Sequence, residues 1–260
     1  MNKIKFIIVF TIAFSAFNLT SFSQEKESLP CINKEFSVVL HIVQDSLGET
    51  NLDMAEVEED FMNLNEYFKP ICVSFKVCEE RIIENWWYDE HSQEEHWEEL
   101  QVLYHQKNRI NIFYVMTIED PPNMGGYAGL GDIVETDTSG IVLEKGSGTR
   151  TLAHEMGHYF GLYHTFEGSG VELVDGSNCA VVADSICDTP ADPFVEGSDV
   201  SSFVNDDCRF IFMGRDANDD YYDPIVGNVM SYYPEDCDCG FTHEQYMRMA
   251  NVYLSGSKMW

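Results

Sequence analysis

The sequence predicts an α+β fold, in which helices pack on a β-sheet and a long irregular region leads to a final helix. Runs rich in β-branched and aromatic residues indicate strands at residues 36–43, 71–83, 110–116 and 141–143. Apolar residues spaced three and four apart predict helices at residues 53–68, 92–104 and 242–254. Residues 168–223 lack both kinds of periodicity, so we expect them to form acidic loops that need support from cross-links or bound cations.

The first part of the chain alternates strands and helices. Residues 36–43 are mostly apolar and β-branched, as in a buried strand. Asp53 is placed to cap the next helix, and Pro70 ends it because proline cannot continue a helix. Cys72 and Cys78 both fall on the even-numbered face of the second strand. Six residues of extended chain hold them too far apart for a direct bond, so the strand folds into a hairpin there or each cysteine pairs elsewhere.

Later helices begin at recognisable capping sequences. Ser92 with Glu95, and Thr242 with Gln245, have the spacing of a capping box, in which two side chains satisfy free backbone amides at the start of a helix. Between these two helices, a glycine-rich segment at residues 121–140 precedes the short strand at 141–143. A further helix is expected around residue 154.

The amino terminus has the pattern of a secretory signal peptide. Basic residues precede an apolar run from Phe6 to Phe17, and small residues suited to cleavage follow. We therefore predict a signal peptide at residues 1–23, a short segment at 24–34, one domain at 35–260 and a secreted or periplasmic location. No later stretch reaches the roughly 18 apolar residues of a membrane helix, so no membrane span is expected in the mature chain.

Charge and cysteine content narrow the range of partners. The chain has 45 acidic and 15 basic residues, a formal net charge of −30. Nucleic acid and anionic membranes are excluded as partners by that charge, whereas basic substrates and calcium are favoured. Eight cysteines in an exported chain predict disulfides, although the residues alone leave many pairings open. Three cysteines precede the central motif and five follow it, so complete pairing would require a bridge between the halves.

The central motif has the pattern of a zinc site. His154 and His158 lie four residues apart, so one face of a helix would present both imidazoles to a single metal ion. Gly161 can adopt the left-handed conformation that ends a helix, which would return His164 to the metal as a third ligand. Three ligands leave zinc an open position for water, and Glu155 beside the first ligand is placed to act as its general base.

The extended motif resembles that of the metzincin metallopeptidases, which also have a methionine turn further along the chain. Residues 228–233, Asn-Val-Met-Ser-Tyr-Tyr, supply such a turn. Residues 161–166 and 184–190 resemble, within the metzincins, the pappalysin (M43-type) family. This resemblance covers roughly residues 35–255. It implies a twisted mixed five-stranded sheet with an active-site helix and a backing helix, an antiparallel edge strand for substrate, and an irregular lower lobe ending in a carboxyl-terminal helix.

The resemblance also implies roles for individual residues. Met230 would form the apolar floor under the metal, and Tyr232, with Tyr233 as the alternative, would stabilise the oxyanion of the reaction. Cys208 is expected to pair with Cys237. The calcium candidates are Asp184, Asp188 and Thr189. For the pocket that receives the side chain after the scissile bond, the candidate is Glu235, with Asp236 as the alternative.

Together these features predict a secreted zinc endopeptidase that acts on proteins or peptides and prefers arginine or lysine after the scissile bond. One alternative is a catalytically silent exported module that keeps the metal as structure, but a structural site has no need of Glu155 as a base. A second alternative is a zinc hydrolase with a substrate other than a peptide, which only the family resemblance opposes.

Overall fold

A computed structural model of the chain describes residues 28–120, 125–134 and 139–256. The predicted signal peptide at residues 1–23 lies outside this description. The strands are β1 Lys34–Val43, β2 Val73–Ile83, β3 Glu90–Ser92, β4 Ile110–Val115, β5 Thr117–Asp120, β6 Gly126–Ala128 and β7 Ile141–Glu144. The helices are α1 Met54–Phe68, α2 Gln93–Tyr104, α3 Gly148–Tyr159 and α4 His243–Ser255. In these ranges, no helix has the length and apolar character needed to cross a membrane.

The main sheet has five strands in the order β2-β1-β4-β7-β6. Neighbouring strands run parallel except for β6, which is antiparallel to β7 and forms one edge. The sequence-based prediction of a mixed five-stranded sheet with an antiparallel edge strand is therefore confirmed. A separate small sheet pairs β3 with β5.

Both faces of the sheet are covered, as expected for parallel strands that read as continuous apolar runs. Every residue of β4 is buried, and alternate side chains point to opposite faces. Ile110, Ile112 and Tyr114 join the core that includes α1 and α3, whereas Phe113 and Val115 join the core that includes Leu100 of α2. Helices α1 and α3 therefore lie on one face of the sheet and α2 on the other.

The predicted helix boundaries agree closely with the structure. The Asp53 side chain accepts a hydrogen bond from the amide of Ala55 at the start of α1, and the helix ends at Phe68, just before Pro70. At α4, Thr242 and Gln245 form the predicted capping box. These ends depend on neighbouring residues alone, which is why the sequence predicts them.

The prediction for the second strand was wrong at its start. Cys72 lies before β2 with a positive φ of 55°, and its disulfide partner is Cys31. The register then shifts between Val38 and Val39 of β1, so that Cys78 is the extra residue of a β-bulge. The two cysteines thus do not share a face of one regular strand, and no hairpin forms between them.

Disulfides cross-link the irregular region after α3. Residues 160–242 contain no α-helix or extended strand, and two bridges lie within them, Cys179–Cys187 and Cys208–Cys237. The second is the bridge expected from the family resemblance, and it is confirmed. Cys78 and Cys239 are free thiols, one on each side of the central motif, so the structure has no bridge between the halves of the chain.

Candidate metal centre

Three histidines converge where α3 ends. The Nε2 atoms of His154, His158 and His164 lie 3.0 to 3.1 Å from one another. Nitrogens bound to a tetrahedral zinc at about 2.0–2.1 Å would lie roughly 3.3 Å apart, close to the observed spacing. Across the described ranges, this is the one group of three or more histidine, cysteine, aspartate or glutamate residues whose ligand atoms all lie within 4.8 Å.

The third histidine reaches this position because the helix stops at Gly161. Its φ is +89°, and its amide donates to the carbonyl of His158 at 2.8 Å. The amide of Leu162 donates to the carbonyl of Gly157 at 3.0 Å, which completes a Schellman motif. A Cβ at residue 161 would also meet the side chain of Val252 on α4. The left-handed glycine predicted from the sequence is therefore present and closely packed.

Hydrogen bonds orient two of the imidazoles. Nδ1 of His154 lies 2.7 Å from the carbonyl oxygen of Val229, and Nδ1 of His158 lies 2.7 Å from that of Leu162. A carbonyl only accepts, so each Nδ1 carries a proton and each Nε2 keeps its lone pair for a metal. Burial lowers the pKa of all three rings, to about 3 for His164. Neutral imidazoles of this tautomer are suitable zinc ligands.

Glu155 follows the first histidine on the same helix and is almost wholly buried. Burial raises the pKa of its carboxyl group to about 8. Its neighbourhood opens into a cavity of about 630 Å³ that His154, Glu155 and Tyr232 help to line. A carboxyl group held beside the histidine cluster and at the wall of a cavity can exchange protons with a molecule bound there.

The methionine turn packs directly beneath α3. Met230 is fully buried, and a Cβ at Gly157 would collide with its sulfur atom. The turn is held by Asn228, whose side-chain oxygen accepts from the amide of Met230 at 2.9 Å. This places Met230 against the active-site helix, on the segment that its predicted role requires.

A residue that the sequence analysis overlooked fastens this turn. Arg150 on α3 donates from Nη1 to the carbonyl of Tyr233 at 2.8 Å and from Nη2 to that of Asn228 at 3.0 Å. Its Nη2 also lies 3.2 Å from the carbonyl of Ser231. In the sequence, Arg150 is visible only as a single arginine at the start of the helix. The carbonyls that it binds are about 80 residues away in the chain, so no local pattern indicates this role.

Tyr232 and Tyr233 point to different surroundings. The Tyr232 ring centroid lies 5.6 Å from that of His154 and 4.8 Å from that of His164. Burial, and then the charges of Glu196 and Glu155, raise the pKa of its hydroxyl well above the ordinary value. The Tyr233 hydroxyl instead donates to Asp192 at 2.6 Å. Of the two candidates, Tyr232 is therefore the one beside the histidines.

Asp192 is a second residue that the sequence analysis overlooked. Its carboxylate accepts from the Tyr233 hydroxyl and, at 2.7 Å, from the hydroxyl of Thr165, the residue after His164. The same group accepts from the amide of Phe194 at 3.0 Å. Asp192 thus ties the segment of the third histidine to the segment beyond the methionine turn. Its partners are distant in sequence, so no local pattern marks it.

The two acidic residues expected in the specificity pocket differ in position. Both Glu235 and Asp236 are exposed, but only Glu235 is among the residues lining the cavity. The charge of Glu235 acts on the nearby Arg150 guanidinium, whose pKa burial lowers. Glu235 therefore remains the better candidate for contact with a substrate.

The structure brings together two of the three calcium candidates. Thr189 Oγ1 lies 2.8 Å from Oδ2 of the buried Asp184, whereas Oδ2 of Asp188 accepts from the amide of Glu244 at the start of α4. Glu172, which no sequence pattern marks, is also buried. Burial, and then the charges of Asp184 and Asp192, raise the pKa of Glu172 to about 7.

Comparisons with known proteins agree with this geometry. Residues 142–254 match the family model described as pregnancy-associated plasma protein-A, an M43 peptidase family, and residues 62–165 match a reprolysin-like metallopeptidase model of family M12B. An extracellular metalloprotease of Colletotrichum graminicola is 38% identical over 106 residues, 40% of this chain and 30% of that protein. Pappalysin-1 of Mus musculus is 32% identical over 41% of this chain and 6% of its own length.

The fold is shared with a solved structure. Mature mirolysin of Tannerella forsythia, in complex with a cleaved peptide, superposes with a TM-score of 0.53 over 85% of this chain and 91% of that one, at 20% sequence identity. Such identity supports the fold alone, and the fungal match spans less than a third of its relative. The M43 family model matches the chain from the second residue of β7 into α4, a range that includes the histidine motif. Residues 142–254, which include the histidine motif and the methionine turn, are therefore similar to the pappalysin (M43) family of metzincin metallopeptidases.

Proposed function

We propose that the protein is an exported zinc endopeptidase, with zinc held by His154, His158 and His164. The convergence of three Nε2 atoms beside the carboxyl group of Glu155 is the observation that carries this proposal. When bound, zinc would acidify a water molecule and polarise the carbonyl group of a peptide bond. Disulfides and the similarity to proteins named extracellular metalloproteases support export.

The chain's own groups supply the remaining chemistry. Glu155 takes a proton from the attacking water and later gives it to the leaving amine. Tyr232 lies beside the histidine cluster, where its hydroxyl can donate a hydrogen bond to the oxyanion that develops. Strand β6 is the edge of the sheet, and its Gly126 lines the cavity, so an extended substrate can pair with it and be held in place.

A cleavage assay tests this proposal against its alternatives. Purified protein is incubated with a denatured protein, with a chelator, and with the chelator followed by excess zinc. We expect cleavage that the chelator stops and zinc restores. Zinc binding without cleavage of any peptide would favour the silent metal-binding module. Cleavage of a non-peptide ester or amide alone would favour the other hydrolase.

The same site supports a preference for arginine or lysine after the scissile bond. Glu235 lines the cavity, and an arginine fork can form two hydrogen bonds with its carboxylate. We expect Glu235→Gln to lose most of the enrichment of basic residues at that position in a peptide-library digest. Asp236→Asn is the matched control, because Asp236 is exposed outside the lining. Loss of the preference in Asp236→Asn but not in Glu235→Gln would reassign the role to Asp236.

We also propose a calcium site built on Asp184, Thr189 and, through its position in the same loop, Asp188. Asp184 is buried, and burial raises the pKa of its carboxyl group to about 7. Glu172 has a pKa raised to a similar value, partly by the charge of Asp184. Two buried carboxylates that repel each other would be stabilised by a divalent cation, which is the support for this site.

Calcium is expected to raise the melting temperature, and to do so more at pH 8 than at pH 6. The folded-state pKa values of Glu172 and Asp184 both lie above their ordinary values. The stabilisation from the protons bound to these two groups is therefore present below about pH 4 and is lost as the pH rises through about 7. Calcium replaces those protons, and a ligand at 100 times its Kd would add about 2.7 kcal/mol. Thermal scans with zinc held constant measure the shift. An unchanged melting temperature at millimolar calcium and pH 8 would reject the site.

A further inference from the structure

Glu196 sits at the tip of a tight turn on the wall of the active-site cavity. The amide of Ser198 donates to the carbonyl of Val195 at 3.0 Å, and Gly197 has a φ of +80°. A positive φ at the third of four residues is typical of a type II turn, which accepts glycine there at no steric cost. Glu196 is the second residue of this turn, and its exposed side chain is part of the cavity lining.

The turn is anchored through the residues that precede it. Phe194, just before it, is buried, and its ring packs at 5.1 to 6.1 Å from those of Phe166, Phe203 and Tyr232. The Phe194 amide donates to Asp192, which also binds the hydroxyl groups of Thr165 and Tyr233. After the turn, Asp199 accepts from the amide of Ser201. The backbone that leads to Glu196 is therefore tied, through Phe194 and Asp192, to the segment that carries His164.

The charges lining the cavity are unbalanced. Its acidic lining residues are Glu155, Glu196 and Glu235, and its one basic lining residue is Arg150. The Arg150 guanidinium donates to three backbone carbonyls of the methionine turn, and the charge of Glu235 acts on it. Among the described residues, no hydrogen bond or ion pair is found for the Glu196 carboxylate. Glu196 and Glu235 are thus the two exposed carboxylates of the cavity wall that a basic side chain can reach.

We propose that Glu196 forms a second acidic subsite, which binds a basic side chain of the substrate at a position other than the one recognised by Glu235. The proposal rests on the function proposed above. Glu196 and Glu235 belong to separate segments, one before and one after the methionine turn, and both face the same cavity. Successive side chains of an extended peptide point to alternate sides, so the two carboxylates contact different substrate residues. Peptides with two basic residues around the cut would therefore be preferred.

A peptide-library digest with three variants tests the assignment. Wild-type cut sites are expected to show basic residues enriched at two positions. Glu196→Gln should lose the enrichment at one position and Glu235→Gln at the other. Glu58→Gln, on the exposed face of α1 and outside the cavity, makes the same change in net charge and should keep both. This control separates a local contact from the general attraction of an acidic protein for basic peptides.

Kinetics on matched peptides then measure the size of the effect. For Glu196→Gln, kcat/KM for the doubly basic peptide should fall about tenfold relative to a peptide with glutamine at the assigned position. Unchanged enrichment in Glu196→Gln, or loss at the same position as in Glu235→Gln, would overturn the second subsite while leaving the peptidase function intact. A wild-type protein that cleaves no peptide in the library would overturn both.

Discussion

Replacing Glu155 with alanine is expected to remove peptide hydrolysis while zinc remains bound. The three imidazoles that would hold the metal are untouched by this change, and their orienting hydrogen bonds go to carbonyls of other residues. What is lost is the group that moves protons between the attacking water and the leaving amine. General acid–base catalysis typically contributes about 10²- to 10⁴-fold in rate, so turnover should fall at least a hundredfold.

Glu155→Gln is the matched variant, because it keeps the shape of the side chain and removes its ability to take a proton. Burial raises the pKa of Glu155 above its ordinary value, so a neutral glutamine should leave the metal-free protein at least as stable as the parent near and above pH 8. Hydrolysis rates, zinc content and melting temperature are measured together. Wild-type turnover in either variant, with zinc bound, would show that another residue is the base.

His164→Ala is expected to lose tightly bound zinc. His154 and His158 come from one helix, but the third nitrogen comes from the loop that Gly161 redirects, and two imidazoles alone leave the metal half coordinated. Loss of a residue that hydrogen-bonds to a metal ligand typically weakens metal affinity by about 10- to 100-fold. Loss of the ligand itself should weaken the affinity by more than that. Elemental analysis after desalting, and competition with a chelating dye, measure the zinc that remains.

His243→Ala provides the control for this experiment. His243 begins α4 and does not belong to the converging cluster, so the variant should retain the zinc content and hydrolysis of the parent. The His164→Ala protein should also lose its cleavage of denatured protein. Equal zinc content in His164→Ala and the parent would mean that His164 is not a ligand, whatever its activity.

Features set by neighbouring residues could be predicted from the sequence. The spacing of His154 and His158 defines one helical face, and Gly161 ends that helix because it accepts a positive φ. The capping box of Thr242 with Gln245 and the buried run of β1 are equally local. The mixed sheet and its antiparallel edge strand followed from the family resemblance together with these local signals.

Features that depend on distant parts of the chain were missed or incomplete. Arg150 and Asp192 act through partners in other segments, so their own neighbours in sequence give no sign of their roles. The bulge that sets Cys78 apart arises where β2 pairs with β1, and the partner of Cys72 depends on where residue 31 lies in space. Residues 160–242 have no periodic pattern, and their contacts are therefore accessible only through the three-dimensional structure.

The irregular region at residues 160–242 also affects how well the protein resists autolysis. Residues 160–242 form only short 3-10 turns and isolated β-bridges. They are cross-linked by two disulfides and packed by the aromatic cluster around Phe194 and the Asp192 hydrogen bonds. Local opening of such a segment costs less free energy than global unfolding. Autolysis would therefore begin in this region. Reducing conditions would break its disulfides and shorten the active lifetime of the protein before the β-sheet unfolds.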